Sequence, residues 1–192
     1  MPNPSGLTAV GILLGGASRR MGRPKHELKL PDGRTLLEAM IDIATTLCDT
    51  IILCGNGAST CALPRAHDAK GLQGPLAGIE SLLRTTVHGR CLVLPCDMPA
   101  LETADLQRLI ATECPLALFG SPPETRMRSM PLFIDTCLLP QLQSSINSNQ
   151  FALHEFIQTQ PHELVTPPVE ETTLVNLNTP EDVQRWITSR GQ

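Results

Sequence analysis

An apolar segment that leads directly into a glycine-rich, cationic loop limits the folds open to this chain more than any other feature. Residues 8–14 contain no charged side chain, and Gly15, Gly16, Arg20 and Lys25 follow soon after. Apolar runs of this kind are typical of strands that are buried on both faces of a parallel sheet. Glycines let backbone N–H groups approach phosphate oxygens, and cationic side chains neutralise the phosphate charge. The segment therefore predicts a buried strand followed by a phosphate-binding loop.

The loop follows neither of two common phosphate-binding patterns. A Walker loop requires Gly-Lys-Ser or Gly-Lys-Thr, and the dinucleotide-binding pattern requires three spaced glycines. This chain has instead Gly-Gly-Ala-Ser-Arg-Arg-Met-Gly at residues 15–22, with Lys25 shortly after it. The combination of glycines, a hydroxyl and cations is a more specific signal than a glycine pair alone.

Segments typical of strands and of helices alternate along the chain. Apolar runs predict a short strand ending near Asp68 and longer strands at residues 8–14, 50–54, 91–94, 116–119, 130–134 and 174–177. Helical spacing, with Thr35 and Thr103 as expected caps, predicts helices at residues 35–47, 75–86, 103–112, 137–146, 151–158 and 180–186. The alternation predicts an α/β fold: a Rossmann-like, doubly wound and mostly parallel sheet in a single domain over residues 1–192, with a loose tail at residues 1–6.

Composition argues against several classes of function. A net charge of −4 and an aromatic content of 3% argue against nucleic-acid binding. No apolar stretch approaches the roughly 20 residues of a membrane span and no signal peptide is apparent, so we expect a cytoplasmic protein without membrane contact. The seven cysteines, an odd number without a Cys-x-x-Cys pair, predict free thiols in a reducing compartment.

Polar residues follow several of the predicted strands at their carboxyl ends. The glycine loop follows the first strand, and Asn56, Asp68 and Asp97 follow later ones. In open α/β sheets, ligands bind beyond the carboxyl ends of the strands. The sequence therefore predicts one ligand site that is assembled from loops far apart in the chain.

Four segments together resemble one enzyme family. They are the glycine loop with Lys25, Gly-Pro-Leu-Ala-Gly at residues 74–78, Pro-Cys-Asp-Met-Pro at residues 95–99 and Asn-Leu-Asn-Thr-Pro-Glu at residues 176–181. Their order and spacing resemble those of the nucleotidyltransferases that build the dinucleotide forms of the molybdenum cofactor, and most closely the guanylyltransferases among them. The resemblance implies Mg²⁺-dependent transfer of GMP from GTP to the terminal phosphate of a molybdopterin-type molybdenum cofactor, with release of pyrophosphate. It also suggests molybdoenzyme chaperones or recipient enzymes as further partners.

The resemblance implies catalytic roles for three residues. Lys25 and Arg20 are the loop cations that would act on the phosphates. Asp97 follows an apolar strand directly and would bind Mg²⁺, an ion that commonly uses one or two carboxylates together with substrate phosphates. The alternative role of Asp97, a cap of the following helix, is less favoured because Thr103 is better placed for it.

The resemblance also implies two binding sites. Asn178 would contact the acceptor, and Asn176 is expected on the same face of the last strand, because residues two apart share a face. The nucleotide would contact a larger set of residues along the carboxyl edge of the sheet: Leu13, Leu14, Gly15, Gly16, Lys25, Asp68, Gly74, Gly78 and Asp97.

Some positions depart from the family pattern and leave alternatives open. Leu14 stands where a small Ala is usual, Pro24 where Asp is common among the guanylyltransferases, and Cys54 where Asn can occur. A cytidylyltransferase acting on the same acceptor is the main alternative, and a sugar-phosphate nucleotidyltransferase is another. A non-catalytic nucleotide-binding accessory protein for molybdoenzymes would be expected to lack Lys25 or Asp97, and both are present.

Overall fold

The structure, a computed structural model, describes residues 6–14, 24–57, 59–69, 71–120, 127–167 and 171–190. Seven strands within these ranges form one sheet. In chain order they are β1 (Leu7–Leu13), β2 (Ile51–Cys54), β3 (Arg65–Ala66), β4 (Arg90–Pro95), β5 (Leu116–Phe119), β6 (Arg128–Asp135) and β7 (Glu163–Val165). The α-helices are α1 (Leu36–Leu47), α2 (Pro75–Thr86), α3 (Thr103–Ile110), α4 (Leu139–Asn147), α5 (Leu153–Thr159) and α6 (Pro180–Arg190).

The sheet is mostly parallel. Its strand order is β3-β2-β1-β4-β6-β5-β7, and β6 alone among the described strands runs antiparallel to its neighbours. The predicted α/β class and doubly wound, mostly parallel sheet are confirmed. An apolar run carries no information about strand direction, so the reversal of β6 was not predicted. The reversal brings Arg128, at the start of β6, to the edge where the parallel strands end.

Helices cover both faces of this sheet. On one face, Val10 and Leu92 pack in a layer with residues of α1 and α3. On the opposite face, Ala9 and Val93 pack in a layer with residues of α2, α4 and α5. Neighbouring residues of one strand therefore enter opposite layers, which explains why β1 and β4 are mostly apolar.

The two expected helix caps differ in outcome. Thr35 caps α1 as predicted: its hydroxyl accepts a hydrogen bond from the Glu38 N–H at 3.2 Å, and the Glu38 carboxylate accepts one from the Thr35 N–H at 2.7 Å. The prediction for Thr103 is wrong. Glu102 occupies the capping position of α3 without a side-chain cap, and the Thr103 hydroxyl lies 3.0 Å from that of Thr46 on α1. The Thr103 hydroxyl therefore takes part in the contact between α1 and α3 and does not cap α3.

The strand predicted at residues 174–177 is also wrong. Residues 171–174 form a 3₁₀ turn, and residues 175–178 have no regular secondary structure. Leu174 and Leu177 are buried, but in different apolar clusters, and the Leu177 N–H donates to the Asp97 carbonyl at 2.8 Å. A short apolar run does not distinguish a strand from a loop that packs on the core. The edge of the sheet is formed instead by β7, which pairs in parallel with β5.

All seven cysteines lie in the described ranges, and none of them forms a disulfide. Four are buried, Cys61 and Cys114 are partly exposed, and Cys137 is exposed. Within the described part of the chain, no helix combines the length and the apolar character needed to cross a bilayer.

Candidate active site

The ends of three parallel strands meet at the centre of the sheet. β1 lies between β2 and β4, and Leu13 near its end is level with Cys54 on one side and Pro95 on the other. The chain moves outward from β1 to β2 and β3, and then returns to add β4 on the opposite side of β1. Such a switch in strand order leaves a crevice at the carboxyl ends, where open α/β sheets bind ligands.

An ion pair occupies the β4 side of this crevice. Asp97 follows β4 after one intervening residue and is only 7% exposed. Lys25 begins a 3₁₀ turn (Lys25–Glu27) shortly after the glycine loop. The Lys25 ammonium donates to Oδ2 of Asp97 and to Oδ1 of Asn178. Two residues predicted to act on phosphate and metal therefore contact each other, although they are far apart in sequence.

The two predicted acceptor residues reach the same ion pair. Asn176 Nδ2 donates to Asp97 Oδ2 at 3.3 Å, and Asn178 accepts from Lys25. They do so from an irregular segment, so the expected shared strand face is wrong, although both side chains reach the ion pair. Asp182, on α6, fixes this segment, because its carboxylate accepts from the Asn178 and Thr179 N–H groups at 2.9 Å each. The Thr179 hydroxyl accepts from the Asp182 N–H in return, so Thr179 caps α6 and the Asn178 side chain is available to Lys25.

One oxygen of Asp97 remains available to a cation. Asp97 Oδ2 accepts from Lys25 and Asn176, whereas the buried Oδ1 has no hydrogen-bond partner among the described residues. In the same part of the chain, no group of three or more His, Cys, Asp and Glu residues is arranged to hold a metal ion. A site with one protein carboxylate suits Mg²⁺, which obtains its other ligands from phosphates and water.

A second buried carboxylate oxygen lies on the β2 side of the crevice. A methyl group placed on Gly55 or on Gly78 would come within 3.9 Å of Asp68 Oδ1, so the two glycines lie close to this oxygen. Asp68 Oδ1 is buried and has no hydrogen-bond partner among the described residues. Burial, and then the nearby charge of Glu80, raise the pKa of Asp68 above its usual value.

The two glycines of the segment 74–78 have different roles. Gly74 precedes α2 with a φ of 96°, and a side chain on it would meet no atom within 4 Å. Its contribution is the backbone conformation that starts the helix ahead of Pro75. A Cβ on Gly78 would lie 2.8 Å from Leu13 Cδ2, so α2 packs closely against β1 at this glycine.

Cys54 does not line the crevice. It is 1% exposed, its thiol contacts the Ile52 carbonyl at 3.5 Å, and burial raises its pKa to about 12. Asn56, two residues further on, is exposed. The side chain at position 54 is therefore not available to a ligand, whereas that of Asn56 is.

Three predicted residues, Gly15, Gly16 and Arg20, lie outside the described residues. Two arginines at the crevice edge were not predicted. Arg128 donates to the Leu174 carbonyl at 3.2 Å, and Arg65 donates to carbonyls of the loop after β2. No sequence motif identifies either arginine, because each contacts backbone carbonyls whose positions are defined only in the folded chain.

Comparisons with known proteins find similar sequences over most of the chain. A family model described as "MobA-like NTP transferase domain" matches residues 10–164. A molybdenum cofactor guanylyltransferase of Ectopseudomonas mendocina is 30% identical over 90% of this chain and 88% of its own length. A probable molybdenum cofactor guanylyltransferase of Rhodopirellula baltica is 27% identical over 95% of this chain and 93% of its own length.

Solved structures of several other proteins have the same fold. Molybdopterin-guanine dinucleotide biosynthesis protein A of Archaeoglobus fulgidus superposes with a TM-score of 0.76 at 22% identity, over 95% of this chain and 99% of that protein. The 2-C-methyl-D-erythritol 4-phosphate cytidylyltransferase of Thermus thermophilus gives a TM-score of 0.69 at 18% identity, over 97% and 100% of the two chains. These likenesses establish a shared architecture.

Proposed function

Because this chain belongs to the family of MobA-like NTP transferase domains, and is therefore a nucleotidyltransferase, we propose that it transfers GMP from GTP to the terminal phosphate of a molybdopterin-type molybdenum cofactor. The names of the related guanylyltransferases support this choice of nucleotide and acceptor. The observation that carries the proposal is the contact of Lys25 with Asp97 and Asn178 at the switch point of the sheet.

The reaction needs alignment and charge neutralisation more than covalent catalysis. An oxygen of the acceptor phosphate attacks the α-phosphorus of GTP and forms a new P–O bond. The bond between the α-phosphorus and the oxygen that bridges it to the β-phosphorus breaks, and pyrophosphate leaves with the electron pair. Lys25, held between Asp97 and Asn178, supplies positive charge to the phosphates next to the glycine loop.

Asp97 fits the role of metal ligand. Its Oδ1 atom is a buried carboxylate oxygen without a partner among the described residues, and a buried oxygen of this kind requires a proton donor or a cation. When bound, Mg²⁺ neutralises phosphate charge and so favours the attack. Asn176 donates to the other oxygen of Asp97 and thereby holds the carboxylate in one orientation.

The carboxylate of Asp68 supports guanine as the base. A carboxylate accepts hydrogen bonds and donates none, so it pairs best with a base edge that carries adjacent donors. Guanine presents its N1–H and its 2-amino group side by side, whereas cytosine presents one amino group next to acceptors. We assign Asp68 Oδ1 to these guanine donors, and Gly78 and Leu13 would lie beside the base.

The test is a nucleotide panel with the purified protein. Mg²⁺, the molybdenum cofactor and each of the four nucleoside triphosphates are supplied, and pyrophosphate release and dinucleotide product are measured. GTP should exceed CTP in kcat/KM by at least about tenfold, which corresponds to about 1.4 kcal/mol of transition-state binding. A preference for CTP would contradict the assigned base, and no turnover with any triphosphate would contradict the proposed reaction.

A further inference from the structure

One arginine holds the loop after β2 through two backbone carbonyls. Arg65, the first residue of β3, donates from Nη2 to the Gly55 carbonyl at 3.3 Å and also to the Gly57 carbonyl. A planar, permanently charged guanidinium is well suited to such a bridge, since its donors have fixed directions. These two hydrogen bonds therefore hold the backbone of the loop 55–57 on the side that faces Arg65.

The other side of this loop packs against the end of β1. The Gly57 N–H donates to the Leu14 carbonyl at 3.1 Å, and the Leu14 N–H donates to the Cys54 carbonyl at 2.7 Å. A Cβ on Gly55 would lie 2.8 Å from the Leu14 carbonyl oxygen, and one on Gly57 would lie 2.6 Å from it. Both glycines are required by this close approach, so the loop and the end of β1 are fitted to each other.

We propose that Arg65 is a positioning residue of the nucleotide site: by holding the loop 55–57 against Leu14, it fixes two parts of the site together. The first part is the Leu14 carbonyl, directly before the glycine loop that begins at Gly15. The second is the Gly55 backbone, which lies close to the Asp68 Oδ1 atom assigned to the base. The inference rests on the proposed nucleotide site.

Loss of the guanidinium should weaken nucleotide binding more than it slows chemistry. Arg65→Met retains the length and apolar body of the side chain but cannot donate to either carbonyl. We expect the KM and Kd for GTP to rise about tenfold, the effect of about one net hydrogen bond, with kcat within about threefold of the wild type. Arg65→Lys should recover part of the loss, because an ammonium provides no planar fork.

Arg90 provides a closely matched control at the amino end of the central strand β4. It is partly buried like Arg65, and its Nη2 also donates to two backbone carbonyls, those of Ile110 and Thr112. Its guanidinium lies over the Phe133 ring, 4.5 Å from the centroid, so its removal should destabilise the fold as well. Arg90→Met is expected to lower the melting temperature without changing the KM for GTP.

Amide hydrogen exchange of the protein without ligand tests the contact directly. Arg65→Met should increase the exchange rate of the Gly57 N–H, and Arg90→Met should leave it unchanged. An unchanged Gly57 exchange rate in Arg65→Met, or an unchanged KM for GTP, would overturn the inference, as would an equal rise of KM in both variants. If the wild type bound no triphosphate, the proposed function would fail, and the exchange rates would still decide whether Arg65 holds the loop.

Discussion

Lys25 and Asp97 lie 72 residues apart in the sequence and form an ion pair in the crevice at the end of β1 and β4. Their side chains are 19% and 10% exposed, so solvent screens the pair only weakly. The cation comes from the segment after the glycine loop, and the anion comes from the end of a buried strand. The pair therefore places a cation, suited to a phosphate, next to an anion, suited to a divalent cation, and we expect substitutions of the two residues to have different effects.

Asp97→Asn tests the metal role. The amide keeps the size of the carboxylate and loses the charge that would hold Mg²⁺, so turnover should fall by roughly two orders of magnitude, about 2.7 kcal/mol in activation free energy. The fold should survive, because the isostere still offers an oxygen to Lys25. The measurements are kcat across a Mg²⁺ titration and thermal unfolding.

Asp105→Asn is the control for this variant. Asp105, on α3, is also a partly buried aspartate in an ion pair, with Arg108 at 3.3 Å. Its replacement should leave turnover and the Mg²⁺ dependence unchanged. Near-normal turnover in a folded Asp97→Asn protein would remove Asp97 from the metal site.

Lys25→Ala tests whether Lys25 acts on phosphate charge and not on the base. Turnover should fall sharply with every triphosphate that the enzyme accepts, while the ratio of kcat/KM values for GTP and CTP stays nearly constant. Lys25→Arg should recover only part of the loss, since a broad guanidinium does not replace a compact ammonium between Asp97 and Asn178. Steady-state kinetics with both nucleotides measure these effects, with Arg34→Ala, which removes an exposed ion-paired cation, as the control. A changed base preference at a normal rate would assign Lys25 to base recognition instead.

Asp68→Asn should stabilise the protein and impair base selection. Burial and the nearby Glu80 raise the pKa of Asp68, so the folded protein binds this proton more tightly than the unfolded chain does. The stability that comes from the protonated form is present at low pH and is lost as the pH rises from the usual aspartate range through the raised pKa. The variant should therefore melt at a higher temperature than the wild type at neutral pH, and the difference should vanish below about pH 3.

The same variant should lose preference for GTP over CTP, because an amide no longer presents a charged acceptor to the guanine donors. Thermal unfolding across pH and paired kinetics with both triphosphates measure the two effects. Asp49→Asn, at an exposed position, should change neither of them. Retained selectivity in Asp68→Asn would place the base elsewhere in the crevice.

The sequence predicted most elements of the fold because their signals are local. Thr35 and Glu38, which cap α1, are only three residues apart in the sequence, and Pro75 marks the start of α2. The segment around Leu174 and Leu177 was misjudged, because its apolar residues pack into the core without a strand partner. The direction of β6 depends on long-range pairing that no local pattern records.

Some residues of the site were predicted from the sequence and others were not, for the same physical reason. Asp97, Lys25 and the two asparagines come together as the motifs indicate, because each follows a strand or precedes a helix whose position the fold determines. Arg65 was not predicted, since its role depends on the carbonyl directions of a loop that only the tertiary structure defines.

Asn178→Ala and Asn176→Ala should separate positioning of the cation from positioning of the carboxylate. Asn178 accepts from the Lys25 ammonium, and its removal should lower kcat and raise the KM of the acceptor, with little effect on the Kd for GTP. Asn176 donates to Asp97 at 3.3 Å, a longer and weaker contact, so its loss should be milder and should appear mainly as a higher Mg²⁺ requirement.

Asp182→Ala should reproduce part of the Asn178 effect, because Asp182 fixes the Asn178 backbone. Initial rates at varied acceptor, GTP and Mg²⁺ distinguish these outcomes, and equal effects of Asn178→Ala on the Kd for GTP and the KM of the acceptor would show that Asn178 belongs to the nucleotide site.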